Sequence, residues 1–192
     1  MEAPVRYIPN FLSDPDAVLL QLTALDWERR DGTPRSEYYI NDYPEPYTYG
    51  AGRGRRTYLP KPKPPEVASM QDALRALTGH LLEVCFLNRY LDQKDQLGWH
   101  ADDSPEMDDL RPIAVVSLGA EREIWFRPKD ERPTMMGVPL GDPKIEKLRL
   151  QHGSLCLMAA GMQDTHQHRI PKSDRTVGQR ISLTFRGYVR NP

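Results

Sequence analysis

The sequence has few cysteines, almost no net charge and no long apolar run. Its two cysteines, Cys85 and Cys156, lie in apolar segments typical of buried strands, and two thiols do not make a disulfide framework. No apolar segment approaches the about 20 residues of a membrane-spanning helix. Glu2 and Ala3 follow Met1 without the basic and apolar regions of a secretory signal. We therefore expect a reduced, soluble, cytoplasmic protein with no membrane partner.

The length and the net charge limit the number of domains and the kind of partner. A chain of 192 residues fits a single domain, residues 1–192. The formal net charge of −1 gives no overall attraction for nucleic acid, so such a partner would need a local basic surface. Residues 53–63 offer five cations and no acid, within a longer stretch from Asp31 to Pro65 that holds six tyrosines. This pattern suits base stacking and phosphate binding, and a solvated, proline-stiffened loop is the alternative.

Residues 85–103 hold two pairs of polar residues at strand spacing. Asn88 and Tyr90 are two residues apart, as are His100 and Asp102, so each pair would share one face of an extended backbone. A histidine and a carboxylate that point the same way are two thirds of the 2-His-1-carboxylate set. That set binds non-haem iron(II) and leaves coordination positions open. The segment therefore predicts part of a metal site, beside a pair that can bind an organic acid.

The strand predicted near residue 180 has one apolar and one polar, cationic face. Alternate positions on the cationic face are occupied by Arg180, Ser182, Thr184 and Arg186. Two buried guanidinium groups would be costly unless they met carboxylates, and arginine is suited to bidentate carboxylate pairing. A dicarboxylic acid would satisfy both arginines.

Five motifs in a fixed order resemble those of one enzyme family. The motifs are Asn88-Arg89-Tyr90, His100-Ala101-Asp102, Ser117-Leu118-Gly119-Ala120, His168-Arg169-Ile170-Pro171 and the strand from Arg180 to Arg186. Their order and spacing resemble the AlkB family of iron(II)- and 2-oxoglutarate-dependent dioxygenases. They are most similar to the members that dealkylate nucleic acids, and the similarity extends from about residue 34 to the last strand.

The resemblance implies the residues of the catalytic centre. His100, Asp102 and His168 would be the catalytic ligands of iron(II), with dioxygen as a further substrate. The co-substrate 2-oxoglutarate would be bound by Asn88, Tyr90, Arg180 and Arg186, with its distal carboxylate on Arg180. His152 competes with His168 for the metal, and His166 would lie beside the ligands if its segment is extended.

The resemblance also implies a nucleotide-recognition lid in the N-terminal third. Tyr49 takes the place of an aromatic residue that stacks on the extruded base, with Arg35 and Tyr47 beside it. The further substrate-binding candidates are Asp103, Ser104, Arg53, Arg55 and Arg56. Ser104 stands where members of the family commonly carry an acid, so the resemblance does not define which base is selected.

Strand spacing predicts a mostly β fold with flanking helices, including a helix over residues 66–83. The resemblance specifies a double-stranded β-helix, or jelly roll. Residues 1–65 would form an N-terminal helix and the lid, and residues 66–192 a helix and the catalytic core.

The expected function is oxidative dealkylation of N-alkylated bases in DNA or RNA, as in alkylation damage repair, by a monomer. Two alternatives remain open. One is the same oxygenase chemistry on a protein or a small molecule. The other is a nucleic-acid-binding relative without catalysis.

Overall fold

The computed structural model describes residues 3–49, 55–129 and 144–189, together with the backbone of residues 134–135 and 138–139. In chain order, the elements are β1 (Val5–Ile8), α1 (Pro15–Thr23), β2 (Ser36–Asn41), β3 (Tyr47–Tyr49), β4 (Arg56–Tyr58), α2 (Pro65–Thr78), β5 (Val84–Tyr90), β6 (Leu97–His100), β7 (Ile113–Gly119), β8 (Arg122–Pro128), β9 (Thr134–Met135), β10 (Val138–Pro139), β11 (Glu146–Leu150), β12 (Ser154–Met158), α3 (Met162–Thr165), β13 (His166–Ile170) and β14 (Arg180–Arg186).

Antiparallel strands build two main sheets. The larger sheet has six strands in the order β1-β12-β7-β14-β5-β2, and the smaller sheet has four in the order β11-β8-β13-β6. Two hairpins, β3 with β4 and β9 with β10, lie outside these sheets. The strands β1 and β2 from the first part of the chain form the two edges of the larger sheet.

Apolar side chains pack on both faces of the larger sheet. On one face, the sheet packs against α1 and α2 through Val116, Leu183, Leu22 and Leu74. On the other face, it packs against the smaller sheet through Val115, Cys156, Ile124, Phe126 and Ile170. The helices therefore cover one side of the larger sheet, and the smaller sheet covers the other.

Helix α2 ends earlier than its apolar pattern predicts. The pattern continues to residue 83, whereas the helix ends at Thr78 because Gly79 adopts a left-handed conformation with φ of 78°. Val67, Met70 and Leu74 lie in the cluster that joins the helix to the larger sheet. The position of the helix was predicted correctly, but its last turn was not.

The predicted mostly β fold with flanking helices is confirmed. Every residue of β14 is buried. Ile181, Leu183 and Phe185 pack in the cluster that contains the helices. The alternate, polar residues of β14 therefore face the smaller sheet, as the sequence pattern predicts.

Candidate metal and co-substrate site

Three side chains that can bind a metal meet at one end of the smaller sheet. β6 ends at His100 and pairs with β13 so that His100 lies opposite His168. The carboxylate of Asp102, two residues beyond β6, lies 3.7 Å from Nε2 of His100 and 3.7 Å from Nε2 of His168. One potential ligand atom from each residue lies within 4.8 Å of the others. The structure therefore brings the three predicted metal ligands together.

The protonation states of these three residues suit a bound cation. Burial, reinforced by the neighbouring His100, lowers the pKa of His168 to about 3. Burial also lowers the pKa of His100. Burial opposes ionisation of Asp102, but Arg186 and the two imidazoles outweigh it and lower the pKa of this carboxyl. Two neutral imidazoles and a carboxylate are the states that metal binding requires.

Hydrogen bonds orient the ligand atoms. Nδ1–H of His100 donates to the carbonyl of Gly98 at 2.9 Å, which leaves Nε2 as an acceptor beside Asp102. The main-chain N–H of Asp102 donates to Oε1 of Gln163 at 2.9 Å. Within the described residues, Oδ2 of Asp102 is buried without a hydrogen-bond partner. An iron(II) ion among the three residues would satisfy this oxygen, and the donor set is the one that non-haem iron prefers.

A fully buried guanidinium group lies between the two sheets. Arg180 is opposite Tyr90 in the pair of β14 with β5, and its guanidinium carbon lies 5.2 Å from the centre of the Tyr90 ring. Nε of Arg180 donates to Oγ of Ser117 at 2.9 Å, whereas its two terminal nitrogens have no partner among the described groups. The hydroxyl of Tyr90 is likewise without one. These buried donors fit a carboxylate of an organic acid.

Burial lowers the pKa of Arg180 to about 10. Arg180 therefore stays charged at neutral pH. A buried charge is costly without a counter-ion, so an acidic ligand is favoured at this point.

The second arginine of β14 instead contacts one of the three predicted metal ligands, His100, Asp102 and His168, which we call the metal set. Arg186 donates to Oδ1 of Asp102 at 2.7 Å, and this bond leaves Oδ2 of Asp102 facing His168. Asn88 lies opposite Ser182 in the same pair of strands. Arg186 is therefore at the metal end of β14 and Arg180 at the other end, which supports the predicted division between them.

Tyrosine rings line a pocket that opens beside the metal set. The pocket is bordered by Arg35, Tyr47, Tyr49, Tyr58, His100, Asp102 and Arg186. The rings of Tyr47 and Tyr58 are stacked with centroids 6.2 Å apart, and Tyr49 is 6.3 Å from Tyr47. The hydroxyls of Tyr47 and Ser104 are 2.8 Å apart. Tyr49 stands at the rim with 37% of its surface exposed.

The sequence analysis missed a buried acid, Glu37, that contacts two residues of the pocket wall. Glu37 accepts from Arg35 at 2.6 Å and from the hydroxyl of Tyr58 at 3.1 Å. Arg35 also donates to Oδ1 of Asn88 at 2.7 Å, so it links the tyrosine pocket to the co-substrate residues. Only the pairing of β2 with β5, which places Glu37 opposite Asn88, brings this acid into the site.

Three cations of the basic segment, residues 53–63, lie close to acidic side chains from other parts of the chain. Arg53 lies outside the described residues, and Arg55 is exposed. Arg56 lies 3.8 Å from the carboxylate of Glu37. Lys61 and Lys63 pair with Asp26 and Asp42, respectively. Acids from other parts of the chain therefore neutralise cations that seem unopposed in the sequence.

The alternative histidines do not join the metal set. Nδ1 of His152 accepts from the main-chain N–H of Gly119 at 2.8 Å, and its Nε2 lies 3.1 Å from Asp16. His166 is buried in β13, with Nδ1 2.8 Å from Oγ1 of Thr165. Among the described residues, one cluster of side chains could hold a metal ion. It contains His168 but neither His152 nor His166. Asp103 instead pairs with Lys129 at 3.0 Å.

Comparison with known proteins decides the family. A model described as the 2OG-Fe(II) oxygenase superfamily matches residues 4–186. The chain belongs to the 2OG-Fe(II) oxygenase superfamily. A Mus musculus protein named DNA oxidative demethylase ALKBH2 is 34% identical to this oxygenase, over 80% of the chain and 61% of its own length. A Rattus norvegicus protein named alpha-ketoglutarate-dependent dioxygenase alkB homolog 3 is 32% identical, over 96% of the chain and 64% of its own length.

These relatives confirm the resemblance to the AlkB family that the motifs indicate. The chain spans about three fifths of the length of these curated relatives. The solved structure of OsALKBH1 matches this oxygenase with a TM-score of 0.63 at 18% identity over 98% of each chain, and thus shares its fold. Membership of the superfamily implies iron(II), 2-oxoglutarate and dioxygen. No helix among the described residues is long and apolar enough to cross a membrane.

Proposed function

We propose that this oxygenase removes alkyl groups from N-alkylated bases in DNA or RNA. One observation carries the proposal: the pocket beside the metal set is lined by stacked tyrosine rings, as a planar base requires. The names of its relatives, which include a DNA oxidative demethylase, support a nucleic-acid substrate.

The residues divide between metal, co-substrate and base. His100, Asp102 and His168 would hold iron(II), while Arg180, Asn88 and Tyr90 would hold 2-oxoglutarate. When bound, iron(II) with 2-oxoglutarate and dioxygen supplies hydroxylation of an N-alkyl carbon, and the resulting hemiaminal separates into an aldehyde and the restored base. Arg186 fixes the carboxylate of Asp102, so that the oxygen facing His168 stays available.

The tyrosine pocket would hold an extruded base. Its open volume of ≈ 50 Å³ is far below the about 300 Å³ of small-molecule sites, so a base enters only when the rim moves. Tyr49 is the exposed ring at the rim, so it is the side chain that would have to move. The base must also leave its stack, which costs a few kcal/mol and less for a base whose pairing an alkyl group has already spoiled.

Product analysis on methylated oligonucleotides tests the proposal. We expect formaldehyde and succinate in equal amounts from at least one of a panel of N-methylated single and double strands, only with iron(II) and 2-oxoglutarate present. His168→Ala is the matched inactive control. Succinate formation without formaldehyde from any oligonucleotide would exclude a nucleic-acid substrate and favour a protein or small-molecule substrate.

We also propose an oligomeric state, a cellular location and a division of the chain for this protein. They are a monomeric state, a cytoplasmic location, and a division into an N-terminal nucleotide-recognition lid at residues 1–65 and a catalytic core at residues 66–192. Sedimentation with and without an oligonucleotide tests the first of these. A dimer in both conditions would exclude it.

A further inference from the structure

The outer face of the smaller sheet carries a row of alternating cations and tryptophans. Lys147 on β11 lies opposite Trp125 on β8, which lies opposite Arg169 on β13. Nζ of Lys147 is 4.2 Å and the guanidinium carbon of Arg169 4.9 Å from the centre of the Trp125 ring. On β6, the Trp99 ring lies 5.4 Å from Arg169 and 4.4 Å from Arg127. We call these five residues the tryptophan–cation row.

The row and the metal set occupy opposite faces of one sheet. On β8, Phe126 is buried between the sheets, whereas its neighbours Trp125 and Arg127 lie on the other face. Trp99 and His100 are consecutive on β6, so their side chains also diverge. β6 is the last strand in the order of the smaller sheet, beside the pocket. The row therefore begins on β6, the edge strand that also carries His100, and extends away from the pocket across the sheet.

This face is more basic than the chain as a whole, whose net charge is −1. Next to the row lies a cleft of ≈ 540 Å³. Its cations are Arg122, Arg149, Arg169, Lys172 and Arg175, and its acids are Glu121, Glu123 and Asp174. Glu123 accepts from Nε1 of Trp125 at 2.8 Å, and Glu121 lies 3.7 Å from Arg149. No ion pair between described residues involves a cation of the row.

We propose that the tryptophan–cation row binds the phosphates of the nucleic-acid strand whose alkylated base occupies the tyrosine pocket. This inference rests on the proposed function and adds a second contact surface to it. Cations held against indole rings are preorganised, so they lose little side-chain freedom when a phosphate binds. Because cations already cover the rings, the contacts are with phosphates rather than with stacked bases.

The dimensions of the row suit a strand that leaves the pocket. Lys147 and Arg169 lie two strand spacings apart, about 10 Å, which about three nucleotides span at 3.4 Å each. The row ends at Trp99, next to His100 at the border of the pocket. A strand would cross only β6 before it reached the first cation.

The test removes two cations far from the metal set and compares long with short substrates. The variant Lys147→Gln/Arg149→Gln changes only β11, at the opposite edge of the sheet from β6. Arg6→Gln/Arg75→Gln, on β1 and α2, makes the same change of charge on other exposed surfaces. Binding of a long methylated single strand is measured against salt concentration, and turnover is measured on a methylated trinucleotide, which is too short to reach β11.

We expect the salt slope for the long strand to fall by about 0.7 in the β11 variant, since Lys147 is the one cation of the row that it removes and each phosphate contact contributes about 0.7. The control variant keeps the slope of the wild type, and turnover on the trinucleotide stays unchanged in both. Equal slopes in the wild type and the β11 variant would overturn the proposal. If the wild type did not turn over the methylated trinucleotide, that result would count against the proposed function. The salt slopes would still test whether the surface binds phosphates.

Two further measurements separate phosphate binding from general anion binding. Trp125→Leu keeps every charge but removes the ring between Lys147 and Arg169, and should weaken binding of the long strand about two- to five-fold. Circular dichroism checks that this variant is folded. A polyglutamate peptide that competes as well as the oligonucleotide at equal charge would overturn the proposal, because the face would then bind any polyanion.

Discussion

Arg180 and Arg186 are the same residue type on one strand, yet their surroundings give them different roles. Arg186 is paired with Asp102 at 2.7 Å and therefore acts on the metal end of the site. Nε of Arg180 donates to Ser117, and its two terminal nitrogens, beside the Tyr90 side chain, have no hydrogen-bond partner among the described groups. At the scale of the residue, these unpaired donors are the reason that we propose Arg180, rather than Arg186, for the distal carboxylate of the co-substrate.

Replacing Arg180 should weaken co-substrate binding selectively. In Arg180→Met, which keeps side-chain volume without charge, the Kd of 2-oxoglutarate should rise about ten- to a hundred-fold, because a charged hydrogen bond contributes about 1.5–3 kcal/mol. A 2-oxo acid without the distal carboxylate serves as the control in calorimetry. Its affinity should differ little between wild type and variant, and an equal loss for both ligands would contradict the assignment.

Metal binding by single variants can decide between His168 and His152 as the third metal ligand. His168→Ala should abolish binding of cobalt(II), followed by its visible absorption, because one of three ligands is lost. His152→Ala should retain metal binding and lose about 1 kcal/mol of unfolding free energy, since it removes the acceptor of the Gly119 N–H. The reverse pattern, with metal lost only in His152→Ala, would refute this ligand set.

The hairpin of β3 and β4 is the element that brings the tyrosine rings beside His100 and Asp102. Tyr47 and Tyr58 lie opposite each other in its register and are stacked and buried. Tyr49 lies two residues beyond Tyr47 on β3, opposite Arg56, and is partly exposed. The inner rings therefore form the wall of the pocket, whereas the outer ring is partly exposed at its rim.

Tyr49→Ala should impair base recognition without affecting the metal or the co-substrate. Stacking on an aromatic side chain contributes about 1–3 kcal/mol per base, so KM for a methylated oligonucleotide should rise about five- to a hundred-fold. Tyr49→Phe is the matched control and should stay close to wild type. A KM in Tyr49→Ala equal to that of Tyr49→Phe would show that this ring does not stack on the base.

The loop between β5 and β6 is fixed by one buried carboxylate. Asp95 accepts from Arg29 at 3.0 and 2.8 Å and from the N–H of Leu91 at 2.9 Å. Burial opposes its ionisation, but these bonds outweigh burial and lower the pKa of Asp95 below 3.8. Since the folded-state pKa is the lower one, the stabilisation is complete above the unfolded pKa and is lost as the pH falls below it.

Asp95→Asn should therefore destabilise the protein at neutral pH and matter less in acid. We expect a loss of about 1–2 kcal/mol at pH 7, allowing for the partial exposure of Arg29. The difference in Tm from the wild type, followed by circular dichroism, should narrow as the pH falls below about 4. A difference that stayed constant down to pH 2 would show that the charge of Asp95 is not the cause.

At the scale of the element, the sequence predicts what repeats along one strand or helix. The alternation in β14 correctly indicates a polar face between the sheets, because side chains two apart must share a face. The end of α2 is missed, since the backbone of Gly79 rather than the apolar pattern stops the helix. Glu37 is missed because nothing near it in the chain shows that β2 will pair with β5.

At the scale of the whole molecule, charge illustrates the limit of sequence reasoning. The run from residue 53 to residue 63 is conspicuous because its cations are adjacent, yet Lys61 and Lys63 pair with distant acids. The tryptophan–cation row is inconspicuous because its members are spread from Trp99 to Arg169. Local density of charge in a sequence therefore does not measure the potential of a surface, which depends on contacts between distant segments.

The place of β14 in the larger sheet constrains the order in which the molecule can assemble on the ribosome. Among the described residues, this strand is the last in the chain, but it lies between β7 and β5 within the larger sheet. Until it is synthesised, β5 and β7 have no neighbour on that side, and their unpaired edges can associate wrongly. β14 also carries Arg180 and Arg186. The nascent chain thus closes its larger sheet and acquires both arginines in one late step.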